Sequence, residues 1–329
     1  MNDSNNNIFL SICIPTYNRP ELLKRTLLSI PEHPSVEVVV TDNSNNLKSK
    51  ELTHSVFSAS KLQWQYHKND FPEMWPGSKL MVENFNMGIK LARGEFILFI
   101  HDDDFMENKD IESLIKMIKK KNHPVYLFGV HLVDLIGRKR RKQSIKSEGF
   151  LSPKKALYKL LSDSSMVRFP AIIAHREVYQ KAGTFNPECK GPTDLDMWSR
   201  MFAQFGVYCV PKVITAYTIH DAAQTMKTFN ESNLKIIFNI FRNIKSWNIL
   251  SDQQIFSAKS KFFHQFILAG AYRLLKKGKL NEARRIMQLF KMREIKELNI
   301  PILWLPLRLL FSVLLFTPVL PLRLRISLN

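Results

Sequence analysis

The sequence predicts an α/β protein in which a mostly parallel sheet is flanked by helices and followed by a helical extension. Between residues 8 and 134, short apolar segments alternate with amphipathic ones, which is the pattern of strands and helices around a parallel sheet. The apolar segments are almost continuously hydrophobic, as strands covered on both faces must be. From about residue 231 to 298 the chain is basic and has a helical pattern.

Five segments have the composition of buried strands, with helices predicted around them. The predicted strands are 8–14, 36–42, 62–67, 95–100 and 125–134, and the predicted helices are 20–30, 78–92 and 108–121. Beyond residue 140 the alternation weakens, with helices expected near 153–162 and 192–205 and a short strand near 207–215. The segment RKRRK, residues 138–142, follows a glycine and is predicted to lie in a loop.

The composition indicates a globular protein of a reducing compartment that meets an anionic partner. The chain has 329 residues, of which 45% are hydrophobic, enough to bury a sizeable core. Its three cysteines form no CxxC pair, so neither a disulfide framework nor a zinc knuckle is expected. The start, MNDSNNNIFL, lacks the features of a signal peptide, which favours the cytoplasm. The formal charge of +19 points to nucleic acid, an anionic membrane or a phosphorylated substrate.

The end of the chain differs from the rest in being strongly apolar. Residues 309–322 carry no charge, and arginines flank them. This stretch is shorter than the roughly 20 residues of a standard membrane span, and prolines interrupt the region. We expect an interfacial anchor with its arginines at headgroup level; the alternative is a hydrophobic helix docked on protein. The predicted domains are an α/β domain (1–230), a basic helical extension (231–298) and a membrane-associating tail (299–329).

Polar residues gather where three of the predicted strands end. The first strand runs into residues 15–18 (PTYN), the second ends at Asp42, and the fourth runs into Asp102, Asp103 and Asp104. Ligands of open parallel sheets bind outside the carboxyl ends of the strands, so these residues are candidates for one site. Such residues often serve only as turn or helix caps, and this alternative applies above all to Asp42.

The three consecutive carboxylates are the most informative feature. Crowding raises their pKa values and destabilises the fold unless a cation compensates. Mg²⁺ or Mn²⁺ usually takes one or two protein carboxylates and completes its shell with water and phosphate oxygens. The chain has neither GxxxxGK[ST] nor a GxGxxG after the first strand, which disfavours P-loop and dinucleotide sites. The predicted ligand is therefore a metal-bound diphosphate.

Five motifs, in this order, resemble family 2 glycosyltransferases, which have the GT-A fold. They are SICIPTYNRPELLKRTLLSI, VEVVVTDNS, ENFNMGIKLARGEFILFIHDDD, PTDLDMWSRM and AYTIHDAAQT. The resemblance covers about residues 8–225 and leaves the last hundred residues outside it. It implies a Rossmann-like nucleotide-diphospho-sugar transferase domain.

The resemblance also assigns roles to individual residues. It implies that Asp42 accepts hydrogen bonds from the base and that Asp102 lies near the ribose. The residues that it places at the nucleotide sugar are Pro15, Thr16, Tyr17, Asn18, Asp42, Asn86, Gly88, Asp102 and Arg200. The metal ligands that it implies are Asp103, Asp104 and His220, with Asp103 favoured. His101 stands where the family usually has the first acid, which leaves the register of the acidic motif open by one residue.

The motif PTDLDMWSRM resembles the family pattern E-D-x-D-x-W-x-x-R, with Thr193 where Glu is common. The resemblance implies that Asp194 is the catalytic base and Asp196 a possible second acid. On a helix the two aspartates would point about 200° apart, so only one can face the site unless the helix begins between them. A plain helix cap is the alternative for Asp194.

These residues predict a metal-dependent inverting glycosyltransferase. It would move a sugar from a UDP-, dTDP- or GDP-sugar to a hydroxyl of a saccharide acceptor, with Asp194 taking the proton. The basic surface and apolar tail favour a lipid-linked acceptor for surface polysaccharide, used at the inner face of the plasma membrane by a peripheral protein. One alternative is transfer to polyprenyl phosphate. Another is a non-catalytic nucleic-acid-binding protein that uses RKRRK, but it leaves the acidic strand ends unexplained, so we expect no nucleic-acid partner.

Overall fold

The computed structural model describes residues 8–220 and 229–316. The described residues form two compact units, each with its own internal contacts. The first unit comprises residues 8–156 and 167–220, and the second comprises residues 157–166 and 229–316.

The strands among the described residues lie in the first unit and form one ten-stranded sheet. They are β1 (Leu10–Thr16), β2 (Val36–Asp42), β3 (Gln63–Lys68), β4 (Phe96–Phe99), β5 (Phe105–Met106), β6 (Val125–Val133), β7 (Lys139–Gln143), β8 (Gly149–Leu151), β9 (Ile172–His175) and β10 (Val207–Thr218). The α-helices are α1 (Pro20–Ser29), α2 (Lys48–Phe57), α3 (Gly77–Leu91), α4 (Ile111–Lys121), α5 (Pro153–Ser162), α6 (Arg176–Ala182), α7 (Thr193–Phe205), α8 (Glu231–Ser246), α9 (Asp252–Lys276), α10 (Leu280–Gln288), α11 (Arg293–Lys296) and α12 (Leu305–Phe316).

The sheet has the strand order β3-β2-β1-β4-β9-β6-β10-β5, while β7 pairs with β6 and β8 pairs with β10. Strands β1 to β4 run parallel to one another. Strand β9 is antiparallel to both β4 and β6, so β6 and its parallel neighbour β10 run in the direction of β4. The carboxyl ends of these strands therefore lie at one edge of the sheet. The predicted α/β architecture, with helices flanking the sheet and a helical C-terminal part, is confirmed.

The core of the first unit explains why the central strands read as continuous apolar segments. All seven residues of β1 and of β2 are buried. On one face, Leu10, Ile12 and Ile14 of β1 belong to the same apolar cluster as Leu23 and Leu27 of α1. Burying each such side chain contributes about 1.5–3 kcal/mol, so this contact fixes α1 against the sheet.

Several elements were not predicted, among them the short strands β5 and β8, and one prediction was wrong. Helix α2 was missed because its sequence is mostly polar, and α6 and β9 were missed because they span only seven and four residues. The RKRRK segment, predicted as a loop, lies largely in β7, which pairs with β6. The backbone of β7 forms hydrogen bonds with β6, while four of the five β7 side chains are exposed. This arrangement suits charged residues at a sheet edge.

The second unit is helical and contains α8 to α12. Helix α9 begins with a capping box. The Ser251 hydroxyl accepts a hydrogen bond from the backbone N–H of Gln254, and the Gln254 side chain accepts one from the backbone N–H of Ser251. Helix α12 takes in the first part of the predicted apolar tail, and it buries Phe311 and Leu315. Its Arg308 lies 2.9 Å from His264 Nε2 and stacks on Phe290, and its predicted position at headgroup level stays a prediction.

The rest of the apolar stretch, residues 317–322, lies outside the described residues. Within the described part of the chain, every helix is either too short or too polar to cross a bilayer.

Replacing Gly94 by alanine is expected to destabilise the first unit. A Cβ there would lie 2.7 Å from the backbone nitrogen of Ser11 in β1, and overpacking of this kind costs about 1–3 kcal/mol. The matched control is Gly77→Ala at the start of α3, where no heavy atom lies within 4 Å of the added Cβ. Urea unfolding of the two variants measures the difference, and equal midpoints would contradict the close approach of residue 94 to β1.

Candidate functional site

The acidic residues that follow β4 form a turn whose backbone is held from two sides. The Thr26 hydroxyl, on α1, lies 2.9 Å from the carbonyl oxygen of Asp102 and 2.6 Å from that of Asp104, and it can donate to either. The Thr218 hydroxyl, at the end of β10, donates to the carbonyl oxygen of Asp103. Residues 102–104, here called the acidic turn, are thus fixed at the carboxyl edge of the sheet.

Asp102 joins the acidic turn to the end of β1. Its Oδ2 accepts a hydrogen bond of 2.9 Å from the Thr16 hydroxyl, and its Oδ1 lies 3.4 Å from Arg19 Nη1. Burial and the charge of Asp103 raise the pKa of Asp102 to about 6, although Arg19 and Thr16 oppose the shift. The predicted convergence of the first and fourth strand ends is therefore present in the structure.

Asp103 is the member of the acidic turn whose charge is best compensated. Its Oδ2 lies 2.8 Å from His220 Nε2 and 3.1 Å from Arg19 Nη1. Burial alone would raise the pKa of Asp103, but His101, His220 and Arg19 outweigh burial and lower it below its usual value. Part of the compensation that the sequence analysis assigned to a metal ion is therefore supplied by Arg19 and the histidines.

Asp104 retains one carboxylate oxygen without a hydrogen bond. Its Oδ1 accepts 2.7 Å from the backbone N–H of Thr218, whereas its buried Oδ2 accepts no hydrogen bond from the described residues. The Nδ1 atom of His101 lies 3.6 Å from this oxygen. Burial raises the pKa of Asp104 to about 6. A buried oxygen in this state is a candidate ligand for a cation.

His101, which the sequence analysis regarded as a departure from the family motif, is the third member of a candidate metal site. Ligand atoms of His101, Asp103 and Asp104 all lie within 4.8 Å of one another. Burial would lower the pKa of His101, but Asp104 and the other two aspartates of the acidic turn raise it. Imidazole and carboxylate suit Mn²⁺, so the residues fit a divalent ion. The imidazole of His220 contacts Asp103 and is not one of these three ligand groups. Its role as a metal ligand stays a prediction.

The predicted nucleotide-binding residues at the ends of β1 and β2 differ in their exposure. Pro15 is buried, whereas Tyr17 is 57% exposed and Asn18 is also exposed, with a left-handed backbone. The side-chain oxygen of Asn18 accepts from the N–H of Asn45 at 3.2 Å. Asp42 is fully buried, and Ser44 N and Tyr66 Oη donate to its carboxylate at 2.6 and 2.5 Å. Tyr17 and Asn18 are therefore the side chains of this group that face solvent.

Asn86 and Gly88, predicted to lie beside the sugar or diphosphate, are residues of α3 that contact neighbouring parts of the first unit. The Asn86 side chain donates 3.0 Å to the carbonyl oxygen of Phe185 and accepts 2.9 Å from its N–H. A Cβ at Gly88 would lie 3.2 Å from the ring of Phe99 and 3.4 Å from Cys13, so the absence of a side chain lets α3 approach the sheet. These contacts give both residues a supporting role, and ligand contact by either stays a prediction.

The two aspartates of PTDLDMWSRM lie in the first turn of α7 and have different surroundings. Asp196 lies 2.7 Å from Arg200 Nη2, and Arg200 also donates to the carbonyl oxygens of Ala182 and Thr184. This network ties α7 to the end of α6. Arg200 therefore has intramolecular partners for its guanidinium, and its predicted contact with the nucleotide sugar stays untested.

Asp194 is half-buried and lies at the second position of α7. The cap residue of this helix is Pro192, so the alternative of a plain cap is wrong for Asp194. Burial raises its pKa, while the N–H of Leu195 and the positive charge of His101 oppose the shift. A carboxylate with a raised pKa that lies within electrostatic reach of His101, the residue before the acidic turn, has the properties of a general base.

Arg19 and Arg25 contact the acidic turn and were missed by the sequence analysis. Arg25, on α1, donates to the carbonyl oxygen of Asp103 and lies 3.0 Å from the Thr218 hydroxyl. Their signal is weak: both lie in the motif PTYNRPELLKR directly after β1, where Lys24 is an equally basic neighbour. A single sequence does not tell which of these side chains turns towards the carboxylates.

Removing the Thr26 hydroxyl by Thr26→Val is expected to loosen the acidic turn. The carbonyls of Asp102 and Asp104 lose the one hydroxyl that can donate to either of them, and leaving a buried carbonyl without its donor costs about 1–3 kcal/mol. The matched control is Thr53→Val on α2, whose hydroxyl donates only to the helical carbonyl of Ser49. We expect a lower free energy of urea unfolding for Thr26→Val than for the control. Equal values would show that the hydroxyl does not hold the turn.

The sequence profile of the Glycosyl transferase family 2 matches residues 11–183, more than half of the chain. An uncharacterized glycosyltransferase of Rickettsia typhi is 26% identical over 68% of this chain and 67% of its own length. A GalNAc(5)-diNAcBac-PP-undecaprenol beta-1,3-glucosyltransferase of Campylobacter jejuni is 22% identical over 69% of this chain and 67% of its own length. The chain thus spans about two thirds of these relatives, and only 41% of a glycosyltransferase of Rickettsia felis.

Solved structures show the same fold at low sequence identity. S. aureus TarS 1-349 in complex with UDP-GlcNAc has a TM-score of 0.62 and 17% identity, covering 85% of this chain and 81% of that one. The Pyrobaculum calidifontis mannosyltransferase PcManGT, in complex with GDP-Man and Mn²⁺, has a TM-score of 0.54 and 12% identity, covering 93% and 84%. With the family match, the strand order and the acidic turn, these findings place the chain in glycosyltransferase family 2, as a glycosyltransferase with the GT-A fold.

Proposed function

We propose that this glycosyltransferase is metal-dependent and inverting, and that it moves a sugar from a nucleoside-diphosphate sugar to a hydroxyl of a lipid-linked saccharide. The observation that carries the proposal is the acidic turn at the carboxyl edge of the sheet, where the buried Oδ2 of Asp104 accepts no hydrogen bond from the described residues and lies beside His101 and Asp103. Open sheets bind ligands at this edge.

The similar structures support a nucleoside-diphosphate sugar as donor. TarS was solved with UDP-GlcNAc and the P. calidifontis mannosyltransferase with GDP-Man. In this chain, Arg19 carries a positive charge beside the acidic turn, and the exposed Tyr17 lies two residues before Arg19 in the sequence. A cation and an exposed ring at a sheet edge suit a diphosphate and a base. The nucleotide itself, UDP, dTDP or GDP, is left for experiment.

His101, Asp103 and Asp104 are the residues that would hold Mg²⁺ or Mn²⁺. Bound there, the ion would offset the negative charge that develops on the departing nucleoside diphosphate. Arg19 adds a second positive charge, because its guanidinium already lies between Asp102 and Asp103. His220 would keep Asp103 oriented through its 2.8 Å contact.

Asp194 would take the proton from the acceptor hydroxyl. Its raised pKa makes it a stronger base than an ordinary aspartate, and Leu195 N–H orients its carboxylate through a 2.8 Å hydrogen bond. Asp196 would position α7 through Arg200 and take no proton. A single displacement needs no enzyme nucleophile, and it inverts the configuration of the anomeric carbon.

The acceptor and the membrane location are supported by different observations. The name of the C. jejuni relative places its acceptor on undecaprenol diphosphate. On the second unit, the exposed apolar side chains of Ile302, Leu303 and Leu309 are 88%, 77% and 57% accessible, which suits contact with lipid. We therefore infer a peripheral enzyme of surface-polysaccharide synthesis at the cytoplasmic face of the plasma membrane.

Asp194→Asn is expected to lower kcat about 10²–10⁴-fold without weakening donor binding, because it removes only the general base. The matched control is Asp196→Asn in the same helical turn, which breaks the ion pair with Arg200. This variant should have a lower melting temperature than Asp194→Asn and a higher kcat. Transfer is measured with radiolabelled donor and a lipid-linked saccharide.

Full activity of Asp194→Asn would contradict its role as base. Turnover with polyprenyl phosphate in place of the saccharide acceptor would favour the alternative of direct transfer to the lipid phosphate.

Donor binding is expected to require the divalent ion. In a thermal-shift screen of UDP-, GDP- and dTDP-sugars, one donor class should raise the melting temperature with Mn²⁺ or Mg²⁺ and not with EDTA, since a ligand at 100 times its Kd adds about 2.7 kcal/mol. Asp104→Asn should remove the shift, whereas Asp252→Asn, on the surface of α9, should keep it. The same shift in EDTA would contradict metal dependence, and no shift with any donor would contradict the donor class.

A further inference from the structure

We propose that the hairpin formed by β6 and β7 is a docking surface for an anionic lipid bilayer. The part concerned, residues 134–143, is here called the basic hairpin. It contains the turn after β6 and the whole of β7. The inference rests on the proposed function and deepens it, because the basic hairpin would bring the candidate site to a lipid-linked acceptor.

The basic hairpin presents more positive charge than its own carboxylates can pair. Five consecutive residues, 138–142, are basic and exposed. Lys139 lies 3.5 Å from Glu107 and Arg140 lies 2.7 Å from Asp134. Within residues 8–220 and 229–316, the side chains of the other three pair with no carboxylate; they are Arg138, Arg141 and Lys142. These three charges are available to an anionic partner.

The tip of the basic hairpin is apolar. Leu135 is 47% exposed and Ile136 is 69% exposed, in the turn that precedes the basic residues. Protection of a sheet edge against aggregation explains lysines and arginines on β7, but it does not explain two exposed aliphatic residues beside them. An apolar tip bordered by cations matches the boundary between acyl chains and anionic headgroups. Duplex nucleic acid would use the charges and leave the tip unexplained.

The topology places this tip at the edge of the sheet that carries the candidate site. Strand β6 runs in the direction of β4, because β9 is antiparallel to both. The turn after β6 therefore leaves the sheet at the same edge as the acidic turn after β4. A bilayer that met the tip would lie near the edge at which an acceptor has to bind.

Arg25 fixes the tip and the acidic turn to each other. One guanidinium nitrogen donates 2.5 Å to the carbonyl oxygen of Leu135, and the other donates to the carbonyl oxygen of Asp103. The guanidinium also stacks on Phe105 at 5.0 Å. Because one side chain holds both, docking of the tip would set the orientation of the site towards the bilayer.

The test is co-sedimentation of the full chain with vesicles of phosphatidylcholine containing 30% phosphatidylglycerol, and with vesicles of phosphatidylcholine alone. The triple variant Arg138→Gln, Arg141→Gln, Lys142→Gln is expected to lower the anionic-lipid partition coefficient on the order of a hundredfold, from about fivefold for each basic residue at the surface. Binding to neutral vesicles should not change. In 1 M NaCl the difference between the two vesicle types should vanish.

The matched control is Lys61→Gln, Lys90→Gln, Lys120→Gln, which removes the same charge from exposed positions elsewhere in the first unit. It is expected to change the partition coefficient less than threefold. An equal loss in both triple variants would overturn the proposal, because binding would then depend on net charge alone. No loss in the hairpin variant would overturn it as well.

A second readout reports on the apolar tip. The cysteines at 13, 189 and 209 are buried, so Ile136→Cys can be labelled selectively with an environment-sensitive fluorophore. We expect a blue shift of its emission on anionic vesicles and none for the same label at Ala59→Cys, which is exposed between α2 and β3. No shift at residue 136 would exclude insertion of the tip.

Two further measurements complete the test. The first tells a lipid-binding hairpin from a nucleic-acid-binding one, and the second tells failure of the docking surface from failure of the donor site. If the hairpin variant lost affinity for a 20-base-pair RNA or DNA duplex but kept its affinity for vesicles, the surface would belong to nucleic acid and the proposal would be wrong. The donor-induced thermal shift should be the same in wild type and hairpin variant. If no donor raised the melting temperature of the wild-type protein, the proposed function would be refuted, and the vesicle measurements would still test the docking surface.

Discussion

The backbone hydrogen bonds of the acidic turn are the constraint on which the site depends. The Thr26 hydroxyl can donate to the carbonyl of Asp102 or of Asp104, and the Thr218 hydroxyl donates to that of Asp103, so α1 and β10 hold the turn in place. Three neighbouring carboxylates then stay crowded in a poorly solvated place, which disfavours their charged forms. The structure offsets this cost with cationic partners that contact the carboxylates directly and come from other elements, as Arg19 does.

Because those partners are unevenly distributed, three identical side chains acquire different properties. Asp103, with His220 and Arg19 on its Oδ2, has a lowered pKa, whereas burial raises the pKa of Asp102 and Asp104 to about 6. The same reasoning separates the aspartates of α7. The carboxylate of Asp196 is neutralised by Arg200, and that of Asp194 keeps a raised pKa. In both places the local partners, and not the residue type, decide which group can hold a cation or accept a proton.

The parts of this arrangement that sequence could predict are those set by local pattern. The continuous apolar segments predicted β1, β2 and β4, and the rule for strand ends then brought Thr16 and Asp102 together. The remainder depends on tertiary contacts that leave little trace in one sequence. Arg25 is one of two neighbouring basic residues on α1, and only the position of this helix turns it to Asp103. The strand β7 forms because β6 supplies its hydrogen bonds, whatever its side chains are.

Residues that the family resemblance places at a ligand can instead determine where the ligand-binding groups lie. The Asn86 amide bonds both backbone groups of Phe185, and Phe185 packs at 5.8 Å from Trp198 of α7. Phe169 lies 5.8 Å from Phe185 and stacks on His101 at 4.2 Å. This aromatic cluster therefore connects the helix that carries Asp194 with the strand end that carries the acidic turn. Close packing resists compression and transmits displacement. The packing of this aromatic cluster therefore sets the distance between Asp194 on α7 and a cation bound at the acidic turn.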